Sequence, residues 1–224
     1  MYKLSLITPL LVFFFVGLFV AASAQQQGPE RWEETIQQFE KADKTTPVEQ
    51  GLALFVGSSS ITMWKDIANY FPEHKVLNRG FGGSNFTDLL YYAERIIFPY
   101  KPAKVFVYEG DNDVAMGKDN KTTLQEAKKL RKMIAKALGK NIPVIFISPK
   151  PSVARWNLKD QYLELNASLK KYADKKKFTE YADVWTPAIG PDGKVFPHIF
   201  LQDNLHMNAD GYKIWQKVIA PFLQ

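Results

Sequence analysis

The chain has 224 residues, 46% of them hydrophobic and 14% aromatic, with a formal net charge of +6 and no cysteine. That length buries one substantial core and is short for two, while the missing cysteines exclude a disulfide framework and an acylated lipobox. The positive charge concentrates in Lys128-Lys129 to Lys136 and in Lys170-Lys171 to Lys177, interleaved with apolar positions of predicted helices; this pattern reads as a solvated outer face with weak attraction for anionic surfaces, and no nucleic-acid partner is expected.

Lys3 precedes an almost unbroken apolar run from Leu4 to Val20, closed by Ala22-Ser23-Ala24 and the polar Gln25-Gln26-Gln27. This is the pattern of a secretory signal peptide over 1–24 with cleavage after Ala24, and it predicts an exported protein, periplasmic or secreted. The alternative is an uncleaved anchor, because the run approaches the about 20 residues that span a bilayer; only in that case is a membrane a partner. From 25 to 50 the chain is polar, with Trp32, Ile36 and Phe39 at helical spacing, which predicts a helical extension packing an apolar stripe on a domain over 51–224.

That domain opens with a strand, Leu52 to Val56, which stops at Gly57-Ser58-Ser59-Ser60 and gives way to a short helix reaching Tyr70. A second strand, Lys75 to Asn78, runs into Arg79-Gly80-Phe81-Gly82-Gly83-Ser84 and then a helix from about Thr87 that stops before Pro99. The third strand, Ala103 to Tyr108, ends in Glu109-Gly110-Asp111-Asn112-Asp113, and Thr123-Leu124-Gln125-Glu126 has the form of a capping box opening a long helix that ends near Gly139. A fourth strand, Val144 to Ser148, leads through Pro149-Lys150-Pro151 to a helix over about 158–175, and a fifth is predicted from Phe178 to Trp185. A Gly- and Pro-rich loop then reaches Asp203-Asn204-Leu205-His206, and Asn208 caps the last helix. Alternating short apolar strands and amphipathic helices predict an α/β fold with a parallel sheet covered on both faces, whose ligand-binding edge lies at the carboxyl ends of the strands.

Several residues on those loops have chemistry to offer. A strand-to-helix corner at Ser59 lifts a small hydroxyl above the sheet with backbone N–H groups directed outward, as a nucleophile facing an oxyanion requires. Asp203 and His206 are three apart, a spacing that on one helical turn lets the carboxylate set the imidazole tautomer and leaves the other ring nitrogen free to take a serine proton. Gly83 allows a backbone N–H to approach a substrate oxygen, and Asn112 has a side-chain amide to offer the same atom. Each feature also has a plain structural reading: a turn at the glycines, an Asx turn at Asn112, a helix cap at His206.

Taken in order, Gly57-Ser58-Ser59, Gly83, Gly110-Asp111-Asn112-Asp113 and Asp203-Asn204-Leu205-His206 resemble the four blocks of the SGNH, or GDSL-like, hydrolase family. The resemblance spans most of the chain after the signal and implies a flavodoxin-like three-layer α/β/α domain with a five-stranded parallel sheet. It further implies Ser59 as nucleophile, His206 as general base and then acid, and Asp203 as the orienting carboxylate. The Ser59 N–H, the Gly83 N–H and the Asn112 side chain are the implied oxyanion hole, and neither metal nor cofactor is implied. The family motif carries aspartate where this chain has Ser58, so three adjacent serines compete; Ser59 keeps the family register, with Ser58 and Ser60 read as turn hydrogen-bonders. The Gly57-Ser58-Ser59-Ser60 form together with Asn78 to Ser84 is similar to the branch containing platelet-activating factor acetylhydrolase-like proteins.

These features predict a serine esterase acting on short-chain, above all acetyl, esters of small molecules or carbohydrates. Trp64, Phe81, Arg155 and Trp156 are the candidate substrate-binding residues, as aromatics and a cation near the active edge. The alternatives are a lipase or thioesterase of the same family, or a noncatalytic envelope protein holding a glycan in the same groove.

Overall fold

The computed structural model describes residues 28–224; the expected signal peptide lies outside them. Five strands, β1 (Ala53–Gly57), β2 (Val76–Gly80), β3 (Lys104–Tyr108), β4 (Val144–Ile147) and β5 (Thr179–Ala182), form one sheet in the order β2-β1-β3-β4-β5. All the pairings are parallel, so every carboxyl end lies on the same rim. In chain order the α-helices are α1 (Glu33–Thr45), α2 (Ser59–Thr62), α3 (Ile67–Tyr70), α4 (Phe86–Ile96), α5 (Asp111–Ala115), α6 (Asn120–Leu138), α7 (Lys159–Lys175) and α8 (Ala209–Ile219).

Period-two alternation divides the central strands between two cores. Leu54, Val56, Val105, Val107, Val144 and Phe146 face a layer that includes Ile36 of α1, Leu89 of α4, Leu130 of α6 and Leu165 of α7. Phe55, Phe106, Tyr108, Ile145 and Ile147 face Ile61, Ile67, Trp215 and Ile219 from α2, α3 and α8. This is the three-layer, flavodoxin-like α/β/α arrangement expected from the sequence. Ile36 and Phe39 of α1, with Trp32 just before it, pack on the first core, and Ile36 is wholly buried. Among the described residues no helix is long and apolar enough to cross a membrane.

Two local expectations are corrected. The long helix α6 begins at Asn120, three residues before the predicted capping box, because Asp119 accepts from the Thr122 N–H at 2.9 Å; Thr123 lies inside the helix, its hydroxyl donating to the Asp119 carbonyl. Asp119→Ala removes that cap and should destabilise the fold, read as a lowered urea midpoint at unchanged slope. The fifth strand ends at Ala182 and does not run on to Trp185, because the Asp183 carboxylate accepts from the Trp185 and Thr186 N–H groups, both at 3.0 Å, and closes a turn there.

Candidate active site

The corner after β1 is tight for a steric reason. Gly57 has φ +135°, and a Cβ at that position would fall 2.1 Å from the Tyr108 carbonyl oxygen, so only glycine lets β1 and β3 stay paired to their ends. Ser58 follows in extended conformation, its N–H donating to the Tyr108 carbonyl, and its own carbonyl accepts from the Ile61 and Thr62 N–H groups to start α2. The Ser58 side chain makes no capping bond. Ser59 is therefore the first residue of a helical turn, where an N–H has no intrahelical acceptor.

Across the rim, Ser59 Oγ lies 3.0 Å from His206 Nε2, and His206 Nδ1 lies 2.6 Å from Asp203 Oδ2. The turn holding Asp203 and His206 is not helical. Asp203 Oδ1 accepts from the Leu205 and His206 N–H groups at 2.9 Å each, and Asn204 sits between them with φ +58°, a left-handed conformation that asparagine tolerates. The hydrogen bond with His206 and these two backbone donors pull the Asp203 carboxyl down to about 2. It is thus a fixed negative charge, oriented on both sides, beside the imidazole.

The Gly82-Gly83 segment closes the other side. A Cβ on Gly82 would lie 3.8 Å from Ser59 Cβ, so this backbone passes directly beside the serine. Gly83, at φ +81°, is covered by Trp32, whose ring carbon would stand 3.3 Å from an added Cβ; the amino-terminal extension thus reaches the rim. Asn112 Nδ2 donates to the Ser84 carbonyl at 2.8 Å, which joins the glycine segment to the end of β3. The Gly110 to Asp113 stretch is the first turn of α5 and not an open loop, because the Asp113 carboxylate accepts from the Gly110 N–H at 3.0 Å.

Trp64 and Phe81 do not line this rim, contrary to expectation. Both are wholly buried: Trp64 stacks on Tyr212 and meets Trp215 edge-on beneath the sheet, and Phe81 meets Trp32 and Tyr92 edge-on in the opposite layer. Their area is large enough that the core outcompetes the rim for them. Trp156 is half-buried and stacks on Trp185. Arg155 does reach the rim, where its Nη1 donates to Asn112 Oδ1 at 3.1 Å and to Asp111 Oδ1 at 2.6 Å.

This last contact exposes a support that sequence reasoning missed. Asp111 is buried under Asn112 and accepts from Arg155, Lys150, Tyr108 and Tyr162. Burial alone would push its carboxyl up, but the two cations and the two hydroxyls outweigh burial and hold it well below the usual carboxylate range. Asn112 is held at both ends of its amide: Oδ1 accepts a hydrogen bond from Arg155 and one Nδ2 hydrogen is donated to the Ser84 carbonyl, leaving the second hydrogen for another acceptor. Glu109, one residue before the glycine, is also buried; its desolvation and the nearby Asp113 charge push its carboxyl well above the usual range, and it accepts from the Ser84 hydroxyl at 2.6 Å. Asp113 turns away to Lys118, and among the described residues no group of three or more His, Asp or Glu is arranged to hold a metal.

A serine, an imidazole and a carboxylate thus stand in hydrogen-bonded series on the carboxyl rim of a parallel α/β/α sheet, the rim where such sheets bind ligands. The chain belongs to the GDSL-like lipase/acylhydrolase family, whose model matches residues 50–214. Among solved structures it is similar to a Streptococcus pneumoniae protein provisionally described as a platelet activating factor, with TM-score 0.75 at 18% identity over 85% of this chain and 92% of that one. A GDSL-like lipase from Bacteroides thetaiotaomicron aligns with TM-score 0.71 at 19% identity, over 84% of this chain and 96% of the other. An acetylxylan esterase from Geobacillus stearothermophilus aligns with TM-score 0.63 at 14% identity, over 79% and 95% respectively. At such identities these likenesses establish the shared fold. No curated protein sequence matches the chain.

Proposed function

We propose that this acylhydrolase is an exported carboxylic ester hydrolase that removes short acyl groups, acetyl above all, from small-molecule or carbohydrate alcohols through an acyl-enzyme on Ser59. The observation that carries the reading is the series Asp203 Oδ2, His206 Nδ1, His206 Nε2, Ser59 Oγ, with its separations of 2.6 and 3.0 Å. Export rests on the signal-like residues 1–24, and the acetyl preference is supported by the likeness to an acetylxylan esterase.

In the proposed cycle Ser59 Oγ attacks the ester carbonyl carbon while His206 Nε2 takes the hydroxyl proton. The carbonyl oxygen becomes an oxyanion facing the Ser59 and Gly83 N–H groups and the second Nδ2 hydrogen of Asn112. The C–O bond to the alcohol breaks and His206 returns the proton to the leaving oxygen, leaving acyl-Ser59. Water then attacks the acyl carbon with His206 again as base, and cleavage of the Ser59 ester releases the acid and restores the hydroxyl. The Asp203 carboxylate faces the imidazolium in both halves without taking the proton.

The test is a panel of aryl esters of rising acyl length, beside acetylated xylo-oligosaccharides, with organophosphonate labelling and peptide mapping. The expected outcome is the highest kcat/KM at acetyl, a decline with chain length, and the label on Ser59. A preference for long acyl chains would favour a lipase; glycan binding with no turnover of any ester, and no label, would overturn the hydrolytic reading.

A further inference from the structure

The opposite rim of the sheet, at the amino ends of β4 and β5, carries a feature that ester hydrolysis does not use. Two adjoining hollows there, of about 550 and 510 Å³, share Lys176, Lys177 and Phe178. Lys132, Lys136 and Lys140 rim the larger one, whose walls are lysine stems, Ala135 and Phe178. The carboxylates lining the pair are Asp174, which already pairs with Lys170 at 2.8 Å, and Glu180. Against these two carboxylates stand Lys132, Lys136, Lys140, Lys175, Lys176, Lys177 and Arg131 besides Lys170, so the cluster is strongly positive.

Arg131 sits at the base of the larger hollow, with 2% of its surface exposed. Its Nε donates to Thr179 Oγ1 and its Nη2 to the Lys140 carbonyl, both at 3.0 Å, but its buried Nη1 has no hydrogen-bond partner. Among the described residues no carboxylate lies within ion-pairing distance of it. A buried guanidinium without a counter-charge normally costs stability, so its presence under a collar of lysines points to an anion supplied from outside. Burial lowers the Arg131 guanidinium from its ordinary value, as an uncompensated charge requires.

Phe178 adds a second, independent observation. Its backbone has φ +56°, a region that bulky side chains rarely occupy, and 44% of its surface is exposed directly after Lys175-Lys176-Lys177. An aromatic ring held outward beside several lysines is the arrangement that seats proteins on anionic bilayers: the ring enters the headgroup boundary while the ammonium groups meet phosphates. A soluble polyanion would have use for the lysines and none for the ring.

We propose that this face docks on an anionic phospholipid surface, with Lys136, Lys140, Lys176 and Lys177 on lipid phosphates and Phe178 in the interfacial layer. Because the patch and Ser59 lie on opposite rims, docking leaves the catalytic rim facing away from the bilayer.

The experiment is sedimentation of the full chain with phosphatidylglycerol-containing vesicles against pure phosphatidylcholine vesicles, the readout being the excess binding to the anionic ones. Wild type should show an excess that high salt abolishes. Lys176→Gln/Lys177→Gln should reduce the excess roughly thirtyfold. Phe178→Asn, polar and tolerant of the left-handed backbone, should reduce it about tenfold at unchanged charge. Hydrolysis of a soluble aryl ester should be unaltered in both variants and in the vesicle-bound protein. No excess over phosphatidylcholine overturns the proposal. So does full retention of the excess by Phe178→Asn with equal competition from inorganic polyphosphate, which would mark a general polyanion surface.

Discussion

Ser59→Ala should lower kcat/KM for a short-chain aryl ester by about ten-thousandfold or more while leaving the urea midpoint close to wild type. The expected effect of losing one hydroxyl is so large because the proposed acyl-enzyme needs that oxygen, whereas the fold needs only the Ser59 backbone, and alanine is a good helix former at the first position of α2. His206→Ala should give a loss of the same order, and the double variant should be hardly worse than either single one, since the two side chains act as one unit joined at 3.0 Å. The pH profile has a defined sign. The Asp203 carboxyl, lowered to about 2 by His206 and two backbone N–H groups, loses its negative charge only on acidification through that value and stays ionised throughout the range in which enzymes are assayed. Steady-state kinetics should therefore show no acidic loss of activity from protonation of Asp203 within that range, and Asp203→Asn should lower kcat across all of it; a variant that matches wild type would remove Asp203 from the proposed series.

The second large effect concerns Asn112 and the cation behind it. Asn112→Ala should lower kcat by about a hundredfold to a thousandfold with little change in KM, the signature of a donor whose bond strengthens as the carbonyl becomes an oxyanion. Arg155→Ala should lower kcat about tenfold by releasing the amide oxygen that its Nη1 holds at 3.1 Å, so that the amide can rotate away from the substrate. In an Asn112→Ala background the same Arg155 change should have almost no further effect on kcat, since the group it positions is gone. A residue that gripped an anionic part of the substrate would instead raise KM and would do so equally in both backgrounds. The double-mutant cycle, run with circular dichroism to confirm folding, separates the positioning role from the substrate-binding one expected from sequence.

Arg155 owes its place to groups far from it in the chain. Its place just after Pro149-Lys150-Pro151 put it near the active edge, and it is there, but what it touches lies 43 and 44 residues earlier in the chain. Nothing local signals that Asp111 is buried among Arg155, Lys150, Tyr108 and Tyr162 and so holds Arg155 under Asn112. Trp64 and Phe81 illustrate the same limit from the other side. Proximity in sequence to Ser59 and Gly83 suggested a pocket, yet a strand-to-helix corner turns successive side chains to opposite layers, and both rings went to the cores. The spacing of Trp32, Ile36 and Phe39 predicts only a packing stripe, yet the Trp32 ring covers Gly83 across a separation of 51 residues.

Some of the chain was legible without coordinates because local physics is sufficient there. Short apolar strands alternating with amphipathic helices admit little besides a parallel sheet covered on both faces. The order of the Ser59, Gly83, Asn112 and Asp203-His206 segments pointed to the family whose model spans residues 50–214. Tertiary structure alone decided which aromatic rings are core and which reach the rim, what holds the Asn112 amide, and that an uncompensated Arg131 lies beneath the lysine collar of the far rim. Each of those is settled by competition between distant groups for burial and for counter-charge, and a sequence records the competitors without recording how far apart folding leaves them.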